Sequence, residues 1–329
     1  MKPGKLPAEL LEYLIKKYAH ISDNVKIGPA IGKDAAAIDI GSKYLVVKTD
    51  PVTLASKQAG WYLVNINAND IACLGAKPSF LIATLLLPTN SSKKSVEKYF
   101  YSVSHACRSL GISLCGGHCE ITKKVSQPIL IGAMFGFTEK EKLVKSNARN
   151  GDNIILTKGI AIEAVSIIAN EKEKILKNKF AADFIKKAKN FLYKPGISVL
   201  KEALLANSAA RVKYMHDPTE GGLATGLYET AKANNCGLLV NENKIKIYPE
   251  SKKLCNEFGL DIMGVIASGA LIIVANPKET QKIIKTLAKQ KIGACVIGKI
   301  KDKKYGIRIE RNKKICPLKP FIKDEITRI

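Results

Sequence analysis

No run of this sequence approaches the roughly 18 consecutive apolar residues that a membrane-spanning helix needs, and its eight cysteines contain no CxxC pair. The first absence excludes a helical membrane span. The second removes the spacing of zinc ribbons and thioredoxin-type redox sites. Neither GxxxxGK[ST] nor GxGxxG occurs, so a nucleotide must be held without a Walker loop or a Rossmann turn. With four histidines and no nucleophile elbow, a serine-type catalytic triad has no support. The N-terminal segment lacks the apolar core and small-residue cleavage site of a signal peptide. The expectation is a cytoplasmic protein with reduced thiols. Arginine is scarce too, at six residues, although the formal net charge is +24. Arginine supplies the bidentate contacts favoured in phosphate and base recognition, and the lysines are spread along the chain. A nucleic-acid partner is therefore not expected, nor a membrane. A positive surface does attract ATP and phosphorylated substrates.

What is present reads as an α/β chain long enough for two domains, at about 100–200 residues each. Leu10, Leu11, Leu14, Ile15 and Tyr18 share one side of an N-terminal helix. AAAIDI and KYLVVKT predict two strands joined at Gly41-Ser42. Residues 57–75 carry Trp61, Val64, Ala68, Ile71, Ala72 and Gly75 at helical spacing. PSFLIATLLLP and QPILIGAMFGFT read as strands. SSKKSVEKYFYSVSHACRSLG reads as a helix with Ser91 or Ser92 at its start and Gly111 at its end. ISLCGG predicts a short strand running into a glycine turn. The polar stretch SNARNGDN marks a boundary, giving domains 1–147 and 148–329. Beyond it come strands NIILT, RVKYM, GALIIVA, ACVIGKI and KYGIRIE, with helices over 159–170, 173–191, 196–208, 220–235 and 277–290. An irregular charged tail begins at Pro317.

Four acidic residues sit beside glycine or at element ends: Asp34, Asp50, Asp70 and Glu120. Carboxylates gathered from separate loops and strand ends suit a magnesium–nucleotide site, because Mg²⁺ takes oxygen ligands and shares them with phosphates. Each alone also reads as a cap or turn residue. Asp70 is different. It falls inside an apolar helix pattern, beside Asn67 and Asn69, where a carboxylate needs a partner.

Two glycine pairs carry further chemistry. In CGGHCE, Gly116 and Gly117 offer backbone N–H groups to an anion, with His118 and Glu120 to one side. A plain tight turn fits as well, and zinc held by His105, Cys107, Cys115, His118 and Cys119 fits less well. In MHDPTEGGLATGLYETA, the turn Asp217-Pro218-Thr219 leads through Gly221-Gly222 into a helix whose N-terminus favours negative charge. The alternative is an ordinary helix capped by Thr219 or Asp217.

Taken in order, IGKDAAAIDI, YLVVKTDPVT, NANDIACLGAKP, LCGGHCEIT and HDPTEGGLATGLYETA resemble the aminoimidazole ribonucleotide (AIR) synthetase superfamily over nearly the whole chain. That superfamily includes HypE, thiamine-monophosphate kinase and selenide water dikinase, and the resemblance is strongest to the HypE-like branch. It implies a two-domain α/β fold whose N-terminal sheet domain pairs into a homodimeric barrel-like core, with ATP and Mg²⁺ as cofactors. By motif match it implies Asp34, Asp50, Asp70 and Glu120 as metal ligands. Lys48, Asn69, Gly116, Gly117, His118, Thr219, Gly221 and Gly222 would contact the nucleotide, and Asp217 and Glu220 the substrate or its proton. The implied reaction is ATP-dependent activation of an amide- or carbamoyl-type oxygen. A thiamine-monophosphate-type kinase and a catalytically silent nucleotide-binding partner are the alternatives.

Three departures qualify the match. Lys33 stands where relatives often carry an acid. The HypE terminal cysteine has no counterpart in KDEITRI, which argues against a hydrogenase-maturation role. The first cysteine is Cys73, which argues against selenide chemistry.

Overall fold

The computed structural model describes residues 6–52 and 58–329. The chain divides into two units, one made of residues 23–27 and 34–143, the other of the N-terminal helix, residues 28–33 and 144–329.

The first unit is a six-stranded sheet. Its strands are β1 (Val25–Ile27), β2 (Ala36–Asp39), β3 (Lys43–Val52), β4 (Lys77–Leu87), β5 (Ser113–Ile121) and β6 (Ile129–Glu139), in the order β1-β2-β3-β6-β4-β5. All pairings are antiparallel except β4 with β5. Helix α1 (Ala8–Tyr18) belongs to the other unit. Helix α2 (Ala59–Cys73) lies against β3, β6 and β4, and α3 (Lys93–Leu110) packs on α2. Residue 57 of the predicted helix lies outside the described residues. Alternation along the strands fixes which side chains α2 covers. Leu81, Ala83, Leu85 and Leu87 of β4 and Leu130 and Met134 of β6 are buried. Phe80 and Ile82, on the opposite face of β4, are exposed. Ser92 caps α3 by accepting the Ser95 N–H, and Gly111 ends it in a left-handed conformation, as the sequence predicts.

The stretch CGGHCE departs from expectation. Instead of a strand ending in a glycine turn, β5 runs unbroken from Ser113 to Ile121 and is exposed along its whole length as the edge strand. The parallel partner explains Gly117. A Cβ there would sit 1.9 Å from the Ala83 carbonyl oxygen, so only glycine allows β4 this close.

The second unit is a seven-stranded sheet of β7 (Asn153–Thr157), β8 (Val212–His216), β9 (Gly237–Asn241), β10 (Ile272–Ala275), β11 (Ala294–Lys301), β12 (Ile307–Arg311) and β13 (Lys314–Pro317), ordered β13-β12-β9-β11-β7-β10-β8. Its helices are α4 (Ile162–Glu171), α5 (Glu173–Leu176), α6 (Ala182–Lys189), α7 (Leu200–Ala209), α8 (Gly222–Ala233), α9 (Pro249–Glu257) and α10 (Pro277–Lys289). Leu223 and Leu227 of α8 close a core over Ile154, Leu156, Leu238, Val240, Ile272 and Val274. The alternate residues Ile155 and Ile273 are equally buried, and α7 and α10 contact β8 and β7. The single helix expected over 173–191 is two, broken between Leu176 and Ala182. Strands β9 and β13 and helix α9 are additions to the sequence reading.

One buried ion pair stands under this fold. Lys158 Nζ lies 2.8 Å from Glu202 Oε1 and donates to the carbonyls of Gly196 (3.0 Å) and Ser198 (2.7 Å). Burial works to lower the Lys158 pKa and prevails, although Glu202 opposes it.

Candidate functional site

In the first unit the acidic residues converge on one lysine. Asp70, in the last turn of α2, is 4% exposed despite its charge. Its Oδ2 lies 2.8 Å from Lys48 Nζ on β3, and Asp50 Oδ2 lies 3.3 Å from the same nitrogen. Burial works to lower the Lys48 pKa, but Asp70, Asp50 and Asp34 together outweigh it and hold the ammonium well above the ordinary lysine range. The helix pattern made Asp70 an anomaly, and the structure shows its partner to be an ammonium.

The packing of α2 against β3 holds this arrangement. Asn67 Oδ1 accepts the Asp50 N–H (3.0 Å), and its Nδ2 donates to the carbonyls of Leu63 (2.9 Å) and Asp50 (3.3 Å). Sequence reasoning noted Asn67 only as a neighbour of Asp70. Its side chain in fact docks the helix onto the strand that carries Lys48 and Asp50. Asn69 is fully buried beside Asp70. The Asp34 carboxylate lies within 4.8 Å of the Cys73 thiol, a neighbour the sequence did not suggest.

Three carboxylates against one ammonium leave a negative excess of hard oxygen donors. That donor set fits Mg²⁺, which is commonly held by one or two carboxylates plus phosphates. Glu120 is not among the groups that act on Lys48. It lies on the exposed β5 edge, with His118 Nε2 3.5 Å from its Oε2. Gly116 and Gly117 share that strand.

In the second unit the glycine pair stands where the sequence placed it. Gly221, at φ +76°, precedes α8, and Gly222, at φ +64°, opens it. A Cβ on Gly222 would approach the Met263 carbonyl oxygen to 2.5 Å. The N-cap position is Gly221 itself. The Thr219 carbonyl accepts N–H groups from Gly222 (3.0 Å) and Ala267 (3.3 Å). The Gly221 N–H goes to Asp324 Oδ2 at 2.7 Å. Asp324 comes from the tail that the sequence left irregular. It is 6% exposed and also accepts the Ile326 N–H at 2.8 Å. Burial raises its pKa, against the pull of those N–H groups.

Asp217 is 1% exposed and Glu220 half-buried. Just before them, His216 Nε2 lies 2.9 Å from Glu229 Oε2, and the Tyr214 hydroxyl donates to the Gly32 carbonyl at 2.8 Å. Lys33, the residue that departs from the family pattern, is held by the Ser146 hydroxyl.

Two acid-lined units with this strand order, a buried helix aspartate in one and a glycine-opened helix in the other, define an AIR synthase-type α/β protein. The chain belongs to the AIR synthase-related family: residues 32–138 match the family's N-terminal domain and residues 149–310 its C-terminal domain. A Methanocaldococcus jannaschii protein named for hydrogenase expression/formation is 26% identical over 93% of this chain and 91% of its own. Carbamoyl dehydratase HypE of Rhizobium leguminosarum bv. viciae is 25% identical over 88% and 81%. Thiamine-monophosphate kinase of Buchnera aphidicola subsp. Schizaphis graminum is 27% identical over 86% and 88%. Among solved structures, HypE in its complex with HypF superposes with a TM-score of 0.78 over 96% of this chain and 100% of that one, at 19% identity. HypE in complex with ATP gives 0.74 over 96% of each, at 20% identity. The mixed α/β fold anticipated from the motifs is therefore the fold of this chain. Among the described residues, no helix is long and apolar enough to cross a membrane.

Proposed function

We propose that this chain is an ATP-dependent, Mg²⁺-requiring enzyme that phosphorylates an amide- or carbamoyl-type oxygen of a small or protein-bound substrate, releasing ADP and phosphate. The observation that carries the reading is the convergence of Asp70, Asp50 and Asp34 on Lys48 within the segment that matches the family's N-terminal domain. Phosphoryl transfer asks a protein mainly for positioning and for charge neutralisation. A divalent ion held by Asp34, Asp50 and Asp70 would supply the second. Lys48, kept protonated by those same carboxylates, supplies a fixed positive charge for phosphate oxygens. The Gly221-Gly222 turn presents the start of α8, where the helix dipole favours negative charge. Asp217 and Glu220 are assigned to substrate contact or proton transfer. A relative named carbamoyl dehydratase and a related structure solved with ATP favour this chemistry.

A homodimer formed through the first unit belongs to the same proposal. Its support is the open β5 edge together with the exposed apolar residues Phe80, Ile82, Leu114 and Ile121 on β4 and β5. Light scattering on the purified chain reads this directly.

The decisive assay follows ADP and phosphate release with Mg²⁺-ATP against a panel of amides, carbamoyl compounds and thiamine monophosphate. Amide-stimulated release of both products supports the reading. A stable phosphorylated product assigns the kinase alternative, which the 27% identity to a thiamine-monophosphate kinase favours. Binding without turnover assigns the silent partner.

A further inference from the structure

The break between α5 and α6 leaves a hollow in the second unit that the proposed chemistry does not use. Leu176, at the end of α5, is fully buried, the chain turns extended at Ala181 (φ −60°, ψ 150°), and Ile185 of α6 is buried again. Each segment is thus anchored by its own apolar side chain, with one extended residue at the corner between them. The corner forms an open-sided cavity of about 300 Å³, at the small end of the range for ligand pockets. Phe180, Ala182 and Ile185 supply its apolar lining, and Glu173, Lys177, Lys186 and Lys189 its charged lining. None of them belongs to the cluster around Lys48 or to the turn that opens α8.

The charges do not balance. Glu173 Oε2 lies 2.7 Å from Lys189 Nζ, and Glu173 Oε1 lies 3.3 Å from Lys177 Nζ. Those two ammoniums hold the Glu173 carboxyl below the ordinary carboxylate range, so it stays ionised at pH 7. Lys187, next along α6, turns instead to Glu250. Lys186 lines the cavity and forms no ion pair among the described residues. Three ammoniums against one carboxylate leave two positive charges at an apolar corner.

That combination selects a class of ligand. A cation is repelled, and a neutral apolar molecule leaves the excess charge unanswered. A carboxylate answers one charge. A phosphate monoester carries about −1.5 to −2 at pH 7 and offers three acceptor oxygens, which matches the excess. The apolar lining asks for a body on that phosphate. Phe180 is already fixed by stacking on Phe184, with centroids 4.7 Å apart and planes at 19°, so a flat ring meets an aromatic neighbour held in place. We propose that the α5–α6 corner binds a small-molecule phosphate monoester with a ring-bearing apolar body. Lys177, Lys186 and Lys189 hold the phosphate, and Phe180 and Ile185 receive the ring.

The test uses the full chain and phenyl phosphate as probe, with calorimetry and ligand-observed NMR as readouts. Inorganic phosphate and benzoate are the controls for the ring and for the second charge. Phenyl phosphate is expected to bind with a Kd of about 1 mM or tighter, ahead of both controls. Lys186→Ala and Lys189→Ala are each expected to weaken it roughly fivefold, the upper end for a partly exposed ion pair. Phe180→Ala is expected to reduce phenyl phosphate to the level of inorganic phosphate. Lys174→Ala, on α5 but outside the cavity lining, is expected to change nothing, and circular dichroism checks that every variant folds. Binding unaltered in Lys186→Ala, Lys189→Ala and Phe180→Ala overturns the proposal, since the probe would then sit elsewhere. So does inorganic phosphate or benzoate binding as tightly as phenyl phosphate, an equal loss in Lys174→Ala, or no binding of the probe at 10-fold above that Kd.

Discussion

Lys48 Nζ lies 2.8 Å from Asp70 Oδ2, an ion pair whose aspartate side chain is 6% exposed. A buried carboxylate of this kind survives in a helix only because a cation meets it. Asp70→Ala is expected to weaken Mg²⁺-nucleotide binding roughly tenfold or more, which is about 1.4 kcal/mol. Calorimetry with and without Mg²⁺ checks it. Affinity that ignores both the metal and the substitution would remove the basis of the proposed function.

Asn67 spends both ends of its amide on docking α2 against β3. Asn67→Leu leaves the Asp50 N–H without its acceptor, at about 1–3 kcal/mol. The expected result is a lowered melting temperature together with weaker nucleotide binding, because Asp50 and Lys48 ride on the same strand. A drop in stability with unchanged nucleotide affinity would show that Asn67 supports only the fold.

The Lys158–Glu202 pair is buried on both sides, at 9% and 6% side-chain exposure. Glu202→Leu leaves an unpaired ammonium and is expected to cost about 3–5 kcal/mol in urea unfolding. Adding Lys158→Met should recover part of that loss. Recovery stays partial because the Gly196 and Ser198 carbonyls lose their donor. A double variant no better than the single one would refute the pairing.

Glu163 makes stability depend on pH. Its folded-state pKa of about 8 lies above the ordinary 4.5, so the folded protein holds the proton more tightly than the unfolded chain. The stabilisation is complete below about 4.5 and fades as pH rises towards 8. Asp324 shifts in the same direction but is present in both proteins when wild type is compared with Glu163→Gln. Wild type should therefore lose stability relative to the variant between pH 5 and 8, as read by urea midpoints. A difference that stays flat across that window would show that Glu163 is ionised in the folded state.

Gly116 and Gly117 look alike in sequence and differ in space. A Cβ at 117 collides with the Ala83 carbonyl oxygen at 1.9 Å, whereas one at 116 meets nothing within 4 Å. Gly117→Ala is expected to lower stability by about 1–3 kcal/mol and, if β5 lies at the dimer contact, to shift light scattering towards monomer. Gly116→Ala should change folding stability by no more than about 0.5 kcal/mol. Equal melting temperatures for the two variants would argue against the close β4–β5 pairing.

The local signals were dependable where local chemistry decides the outcome. Ser92 and Gly111 bracket α3 because a hydroxyl cap and a left-handed glycine act within one turn of chain. Gly221-Gly222 opens α8 for the same reason. Asp70 stood out as a charge in an apolar helix. The misses share the opposite cause. CGGHCE read as a turn because glycine pairs usually turn, but a parallel strand holds it extended. Nothing in 173–191 signals a break, yet the chain leaves the helix after Leu176 and resumes it at Ala182, with Phe180 stacked on Phe184 at 4.7 Å.

The order of residues alone determined the α/β class, the glycine-opened helix, and Asp70 as a charge set in an apolar helix, because propensity, capping and charge are properties of short segments. Only the tertiary structure decided that Lys48 answers Asp70, that Asp324 returns from the tail to hold Gly221, and that Glu163 meets Ser268. Each of these joins groups from separate parts of the chain: the carboxylates that hold the Lys48 ammonium, and the burial that pushes Asp324 and Glu163 up, exist only once folding has brought those groups together and removed the water around them.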